Sequence, residues 1–233
     1  MIGSFLLKVF SDKNHSVERL GHGNGAWNIA SGSIDKHSTV VSAGVGRDIS
    51  FELAIHAAYS CRVYMIDPSP TGAATIADQH RLPSGILFES IGIAARDETL
   101  AFAPPYHPDE GSFRLPTNKL RDGLSRFRCE KLATLMQRHG LPRVDLLKLD
   151  VEGFEYEVLR DLVLNKIPVG QICVEFHHGI VPGISKLDTL KTILGLTSAG
   201  YKLINRDQLN FTFLSKQAHA IRMRGKKVRA IAI

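Results

Sequence analysis

From residue 38 onward, the chain alternates short apolar runs rich in β-branched residues with longer stretches of helically spaced apolar residues. The short runs predict buried strands, and apolar residues at i, i+3, i+4 and i+7 predict the helices between them. This alternation is typical of an α/β fold with a doubly wound sheet whose strands are mostly parallel. The predicted strands cover residues 39–42, 62–66, 86–91, 144–149, 171–176, 201–205 and 211–215.

The ends of the predicted elements carry turn and capping residues. Asp48 is a candidate N-cap for the helix after the first of these strands, Ser185 caps a later helix, and Gly200 ends it. The last two strands are separated only by residues 206–210, which are too few for a helical crossover, so an antiparallel hairpin is predicted there. Residues 103–118 contain four prolines and little periodicity, and they predict a loop.

The predicted organisation has three parts: an N-terminal extension that packs on the core (1–36), a cofactor-binding domain (37–217) and a basic C-terminal tail (218–233). The chain has 233 residues and is 44% hydrophobic, which fits a globular protein with a core of its own. Its net charge is +6, and much of the positive excess lies in residues 222–229. Such a segment can bind nucleic acid or anionic lipid, although it is more often solvated.

Cysteine usage and hydropathy indicate the compartment. Cys61, Cys129 and Cys173 are far apart and include no Cys-x-x-Cys pair, so we expect buried, reduced thiols rather than disulfides or a metal centre. No apolar run approaches the roughly 20 residues that a membrane-spanning helix needs. These features predict a cytoplasmic protein without a membrane span, and they do not indicate an oligomeric state.

Two glycines, Gly44 and Gly46, lie between the first predicted strand and its helix. Glycines there let the backbone turn tightly and let a ligand approach the N–H groups of the helix N-terminus. The dinucleotide fingerprint would need a third glycine where Ile49 lies, and no Gly-Lys-Ser/Thr follows for ATP. The next strand ends at Asp67, about 20 residues further on, where an acid accepts hydrogen bonds from a ribose. S-adenosylmethionine fits this combination of two glycines and an acid, because it has a ribose and no pyrophosphate.

A second motif, VDLLKLDVEGFEYEVL, covers residues 144–159. A strand delivers Asp150 and Glu152 near its carboxyl end, and the following strand, QICVEFHH, places Glu175 and His177 at its own end. The carboxyl ends of parallel strands meet at one edge of a sheet, and ligands bind there. We therefore expect these carboxylates and the histidine to converge beside the two glycines.

The chain resembles the FkbM-type methyltransferases, which are class I, S-adenosylmethionine-dependent enzymes with a Rossmann-like fold. The resemblance covers roughly residues 38–215 and rests on VVSAGVGRDISFE, the strand end Asp67-Pro68, LLKLDVEGFEYEVL and ICVEFH. Many members carry an aspartate two residues before the first glycine, where this chain has Ser42. A serine can form a hydrogen bond there, but a charged contact with the amino group of the cofactor is lost.

The resemblance implies where the cofactor binds. Gly44 and Gly46 would face the methionine moiety, Asp67 the ribose, and Ile91 with Gly92 the adenine. The cofactor-binding residues expected on this basis are Ser42, Gly44, Gly46, Asp67, Pro68, Ile91, Gly92 and Asp150.

The resemblance also implies methyl transfer, usually to a hydroxyl oxygen of a sugar, glycan or secondary metabolite. Such an in-line displacement requires that the nucleophile be aligned and deprotonated. Glu152 or His177 is the predicted base, and Asp150 orients it or positions the methyl donor. These residues, together with Glu175, could instead bind a divalent cation, but no spacing in the sequence demands one, and no metal is predicted.

Two other functions stay open at this level. The basic tail favours a nucleic-acid methyltransferase, although a small-molecule or glycan acceptor is preferred. Alternatively, the chain could be a non-catalytic module that has kept the fold and binds a partner protein through the 103–118 loop. Trp27, Tyr106 and Phe113 are candidates for stacking on a sugar acceptor.

Overall fold

The structure is a computed structural model, and it describes residues 15–107, 111–117 and 122–216. The first 14 residues and the basic segment at 222–229 lie outside the described residues. The three-part organisation expected from the sequence therefore stays a prediction.

The strands and helices alternate along most of the chain. The strands are β1 (Val17–Leu20), β2 (Trp27–Ala30), β3 (Thr39–Ala43), β4 (Arg62–Ile66), β5 (Ile86–Glu89), β6 (Gly92–Ile93), β7 (Glu98–Phe102), β8 (Ser125–Glu130), β9 (Val144–Leu149), β10 (Val169–Glu175), β11 (Tyr201–Asp207) and β12 (Asn210–Ser215). The α-helices are α1 (Ser50–Tyr59), α2 (Pro70–Ala77), α3 (Leu132–Arg138), α4 (Glu155–Leu164) and α5 (Lys186–Ser198).

The central sheet has seven strands in the order β11-β12-β10-β9-β3-β4-β5. The five strands from β10 to β5 are parallel, and β12 runs antiparallel to both of its neighbours. The predicted doubly wound sheet with a C-terminal antiparallel hairpin is thus confirmed. The strand order reverses between β3 and β9, which makes their carboxyl ends the topological switch point where ligands bind in such folds.

Helices cover both faces of this sheet, which explains why its middle strands are continuous apolar runs. One core cluster includes Leu135 of α3 and Leu159 of α4, and the cluster on the other face includes Phe51 of α1. The α1 N-cap is Ile49, so the sequence misplaced this cap by one residue; Asp48 instead accepts a hydrogen bond from the N–H of residue 50 at 2.7 Å. No helix within the described stretches is long and apolar enough to cross a membrane.

Two smaller sheets complete the described fold. The strands β6, β8 and β7 form a three-stranded sheet, and β1 pairs with β2. The β1–β2 hairpin packs on the central sheet, where the N–H of Ala30 donates to Gln171 Oε1 (2.5 Å) and Thr212 Oγ1 donates to the carbonyl of Asn28 (2.7 Å). The strand expected over residues 86–91 ends at Glu89, so the chain turns before entering β6.

Candidate active site

A cleft of about 240 Å³ opens at the switch point of the central sheet. Its walls are the glycine turn after β3, the turn after β4 and the turn after β9, which covers residues 150–154. Residues 24–27 and 111–113 close two further sides. Because it lies at the carboxyl ends of parallel strands, this cleft is the candidate ligand site.

The two glycines of the β3 turn have different physical roles. Gly44 has a φ of +87°, and a Cβ on it would lie 1.7 Å from the carbonyl oxygen of Asp150. Only glycine therefore lets the ends of β3 and β9 approach this closely. Gly46 has a φ of +56°, and no heavy atom of the described residues lies within 4 Å of where its Cβ would be. Its face is thus open toward the cleft.

Asp67 holds the glycine turn in place. Its Oδ2 accepts hydrogen bonds from the N–H groups of Val45 and Gly46, each at 2.9 Å, and its Oδ1 accepts one from Ser69 at 2.8 Å. These three bonds leave about one further acceptor position on the carboxylate. Asp67 lines the cleft, and contact with a ribose at that position stays a prediction.

Most of the predicted cofactor-binding residues line the cleft: Gly44, Gly46, Asp67, Pro68, Gly92 and Asp150. The structure does not bring Ser42 or Ile91 to it. Successive side chains of a strand point to opposite faces, and Ser42 Oγ points toward α1, where it donates a hydrogen bond to the Glu52 carboxylate. Ile91 packs in the hydrophobic core.

The sequence analysis missed a buried charged pair beneath the glycine turn. Lys148 is 3% exposed; its Nζ donates to the carbonyl of Gly44 and lies 3.8 Å from Glu52 Oε1. The second carboxylate oxygen of Glu52 is buried without a hydrogen-bond partner among the described residues. The Nζ also lies 5.3 Å from the ring centroid of Trp27, which lines the cleft. Along the sequence, Lys148 shows only as a single charge within an apolar strand.

The sequence analysis also missed Glu155, a fully buried carboxylate that joins the turns after β9 and β10. Its Oε2 accepts a hydrogen bond from the N–H of Gly153 at 2.8 Å. Its Oε1 accepts from the backbone N–H of His177 at 3.0 Å and lies 3.2 Å from His177 Nδ1. Glu155 thereby fixes the orientation of the imidazole relative to the cleft.

The predicted catalytic residues converge at this edge. Glu152 and Asp150 line the cleft, and Glu152 has a left-handed backbone with a φ of +51°, which is uncommon for a non-glycine residue. His177 Nε2 lies 3.6 Å from Asp150 Oδ1 and 3.5 Å from Glu152 Oε2. Glu175 also lies beside Asp150 and His177. The catalytic roles of these side chains stay predictions.

The surroundings shift the pKa values of this group. Burial lowers the pKa of His177, but the hydrogen bond to Glu155 and the nearby carboxylates outweigh it and raise the pKa to about 10. Burial raises the pKa of Glu152, Asp150 adds to this, and His177 opposes it. Burial and the charge of Asp150 raise the pKa of Glu175 to about 7. At neutral pH, His177 is therefore an imidazolium, and the raised pKa of Glu152 makes its carboxylate a stronger base than a solvent-exposed one.

The His177 imidazolium is expected to make the free energy of unfolding fall with rising pH. Its stabilising contribution is complete below the unfolded-state pKa of about 6.5 and is lost as the pH rises through the folded-state pKa of about 10. One proton corresponds to a slope of about 1.4 kcal/mol per pH unit in this window. Urea unfolding across the window should show this slope in the wild type and its loss in His177→Gln. His178→Gln is the control, because burial lowers the pKa of His178; equal slopes in both variants would contradict the assignment.

The aromatic candidates for acceptor recognition separate into two groups. Trp27 and Phe113 line the cleft, and Trp27 is 3% exposed. Tyr106 lies outside the described lining and is 52% exposed, with the Arg114 guanidinium 3.4 Å from its ring centroid. The described parts of the 103–118 loop are irregular apart from one bridge between Ala103 and Arg114.

A family model and two curated proteins are similar to this chain in sequence. A family model described as the methyltransferase FkbM domain matches residues 35–203. A human probable methyltransferase-like protein 24 is 27% identical over 154 residues, which are 65% of this chain and 36% of that protein. The hexuronic acid methyltransferase AglP of Haloferax volcanii is 23% identical over 139 residues, which are 58% of this chain and 56% of that protein.

The chain thus spans about a third to about half of the length of these two curated relatives. Among solved structures, the fibrillarin pre-rRNA processing protein of Methanococcus jannaschii is similar with a TM-score of 0.47 and 14% identity. That similarity covers 79% of this chain and 69% of that one.

Proposed function

The chain belongs to the FkbM methyltransferase family, and from this premise we propose that it transfers a methyl group from S-adenosylmethionine to a hydroxyl oxygen of a sugar or glycan. The observation that carries the proposal is the glycine turn at the switch point, with its open face beside Gly46 and the Asp67 carboxylate at its base. A sugar acceptor is supported by the relative named as a hexuronic acid methyltransferase.

The residues around the cleft fit this cofactor. The open face of Gly46 leaves room for a ligand against the backbone, and Asp67 has an acceptor position left for a ribose hydroxyl. Pro68 and Gly92 border the same cleft and would flank the adenine. When bound, S-adenosylmethionine supplies an electrophilic methyl group.

Glu152 is the side chain best placed to take the proton from the acceptor. It lines the cleft, and burial raises its pKa, which makes its carboxylate a stronger base. His177 holds a proton at neutral pH, so it supports Glu152 as a neighbouring cation instead of competing as the base. Asp150 lies in the same turn as Glu152, with its Oδ1 3.6 Å from His177 Nε2, and would orient the acceptor beside Glu152.

Calorimetry with S-adenosylhomocysteine tests the cofactor site. The wild type is expected to bind one molecule, and Asp67→Asn is expected to bind at least about 10-fold more weakly, because a charge-assisted hydrogen bond to the ribose becomes a neutral one. Asp97→Asn is the matched control: Asp97 also accepts a backbone N–H, from Lys131 at 2.7 Å, but it lies away from the cleft.

A folded wild type that binds neither S-adenosylmethionine nor S-adenosylhomocysteine would contradict the proposal and favour a non-catalytic module. Where binding is observed, a methyl-transfer screen against sugars and glycans, with mapping of the methylated atom, identifies the acceptor. Transfer only to nucleic acid, with salt-dependent affinity, would support the alternative that the basic tail suggests.

A further inference from the structure

We propose that Asp150, Glu175 and His177 form a binding site for a divalent cation at the edge of the cleft. We infer further, on the basis of the proposed function, that this cation polarises the acceptor hydroxyl. The sequence predicted no metal, because the three residues come from the ends of two different strands and show no ligand spacing.

The distances between the ligand atoms of the group match those around a single divalent cation. One ligand atom from each residue lies within 4.8 Å of the other two. A cation with ligand distances of about 2.1–2.4 Å separates opposite ligands by about 4.2–4.8 Å and adjacent ones by about 3.0–3.4 Å. His177 Nε2 and Asp150 Oδ1 are 3.6 Å apart, which is too long for a hydrogen bond and close to the adjacent-ligand distance.

The orientation of His177 is an independent observation that points to a ligand. Its side chain is 4% exposed, and its Nδ1 is engaged by the Glu155 carboxylate. Its Nε2 is directed between Asp150 and Glu152 and, within the described residues, makes no hydrogen bond. Because a ligating histidine must be neutral, the proton that the imidazolium carries on Nε2 is released when an ion binds there. Histidines that bind metals are usually held in this way, with one ring nitrogen on a carboxylate and the other on the ion.

The ligand set and its position indicate the kind of ion and its use. Two carboxylates and one imidazole suit a transition-metal cation such as Mn²⁺ better than Mg²⁺, which prefers oxygen ligands. Asp150 belongs both to this group and to the lining of the cleft, with its side chain 32% exposed. A cation bound to Asp150 is therefore adjacent to the acceptor and can lower the pKa of its hydroxyl, whose proton then passes to Glu152.

Isothermal titration calorimetry of the full chain with Mn²⁺ alone tests the site. The wild type is expected to bind one ion, and Glu175→Gln is expected to bind it at least about 10-fold more weakly. Glu157→Gln is the matched control, because Glu157 is an exposed acid on α4 outside the group. In the wild type, bound Mn²⁺ should also broaden the NMR signals of the His177 ring, a readout that needs no variant.

Calorimetry with S-adenosylhomocysteine on the same samples separates the two proposals, since Glu175 lies outside the described lining of the cleft. Suppose that the wild type binds S-adenosylhomocysteine. If it then binds no Mn²⁺, or if Glu175→Gln binds Mn²⁺ as tightly as the wild type does, the cation site is wrong and the proposed function still stands. If the wild type binds Mn²⁺ but not S-adenosylhomocysteine, and Glu175→Gln loses Mn²⁺ binding, the cation site is supported and the proposed function is contradicted.

Discussion

Replacing Glu152 with glutamine is expected to lower kcat for methyl transfer by about 100- to 10,000-fold, the range typical of losing a general base. An amide of the same shape cannot take the proton of the acceptor, although it fits the same left-handed backbone. The affinity for S-adenosylhomocysteine is expected to change little, because the cofactor is proposed to bind against the turns after β3 and β4, whereas Glu152 lies in the turn after β9. Initial rates with a confirmed acceptor, together with calorimetry, measure both quantities.

Two further variants make this result specific. Glu157→Gln, an exposed change on the same chain segment, should keep the wild-type rate. His177→Gln should retain measurable turnover but shift the acidic limb of the pH–rate profile to higher pH, because the imidazolium lowers the pKa of Glu152. If Glu152→Gln retained near-normal turnover, Glu152 would not be the base.

Replacing Gly44 with alanine is expected to lower the free energy of unfolding by about 4 kcal/mol. The added Cβ would lie 1.7 Å from the carbonyl oxygen of Asp150, and this contact joins two backbone segments that cannot rotate away. The positive φ of +87° adds strain for any L-residue with a side chain. Chemical denaturation of the wild type and the variant measures the difference.

Gly140→Ala is the matched control for this substitution. Gly140 also has a positive φ, +62°, but no described heavy atom lies within 4 Å of its Cβ position. It should cost only the conformational strain, about 1 kcal/mol. Equal losses in the two variants would mean that the ends of β3 and β9 can separate, and the close approach inferred at Gly44 would be wrong.

The strands of the central sheet could be predicted because both of their faces are buried. Val144–Leu149 reads as an apolar run, and its predicted bounds are those of β9. The strand β8 was not predicted, for the opposite reason. Its first residues are buried on one side only, so Arg126 and Arg128 alternate with Phe127 and the segment does not form an apolar run. The short strand β6 has just two residues and no periodicity to read.

The candidate site could be predicted in part. Glycines after a strand and acids at strand ends are local signals, and they identified Gly44, Asp67 and Glu152. Glu155 lies in the same motif as Glu152, but a buried acid in the first turn of a helix looks like any acid favoured by the helix dipole. Its partner is a histidine at the end of another strand, and no spacing along the chain reveals that pair.

The sequence by itself determined the strands of the central sheet, the glycine turn after β3 and the family, because each depends on residues that are neighbours along the chain. Only the tertiary structure decided which way each side chain points. It directed Ser42 toward Glu52 and away from the cleft, and it turned His177 Nε2 toward Asp150. These contacts join residues on different elements, and they exist only because the packed sheet brings the ends of its strands together.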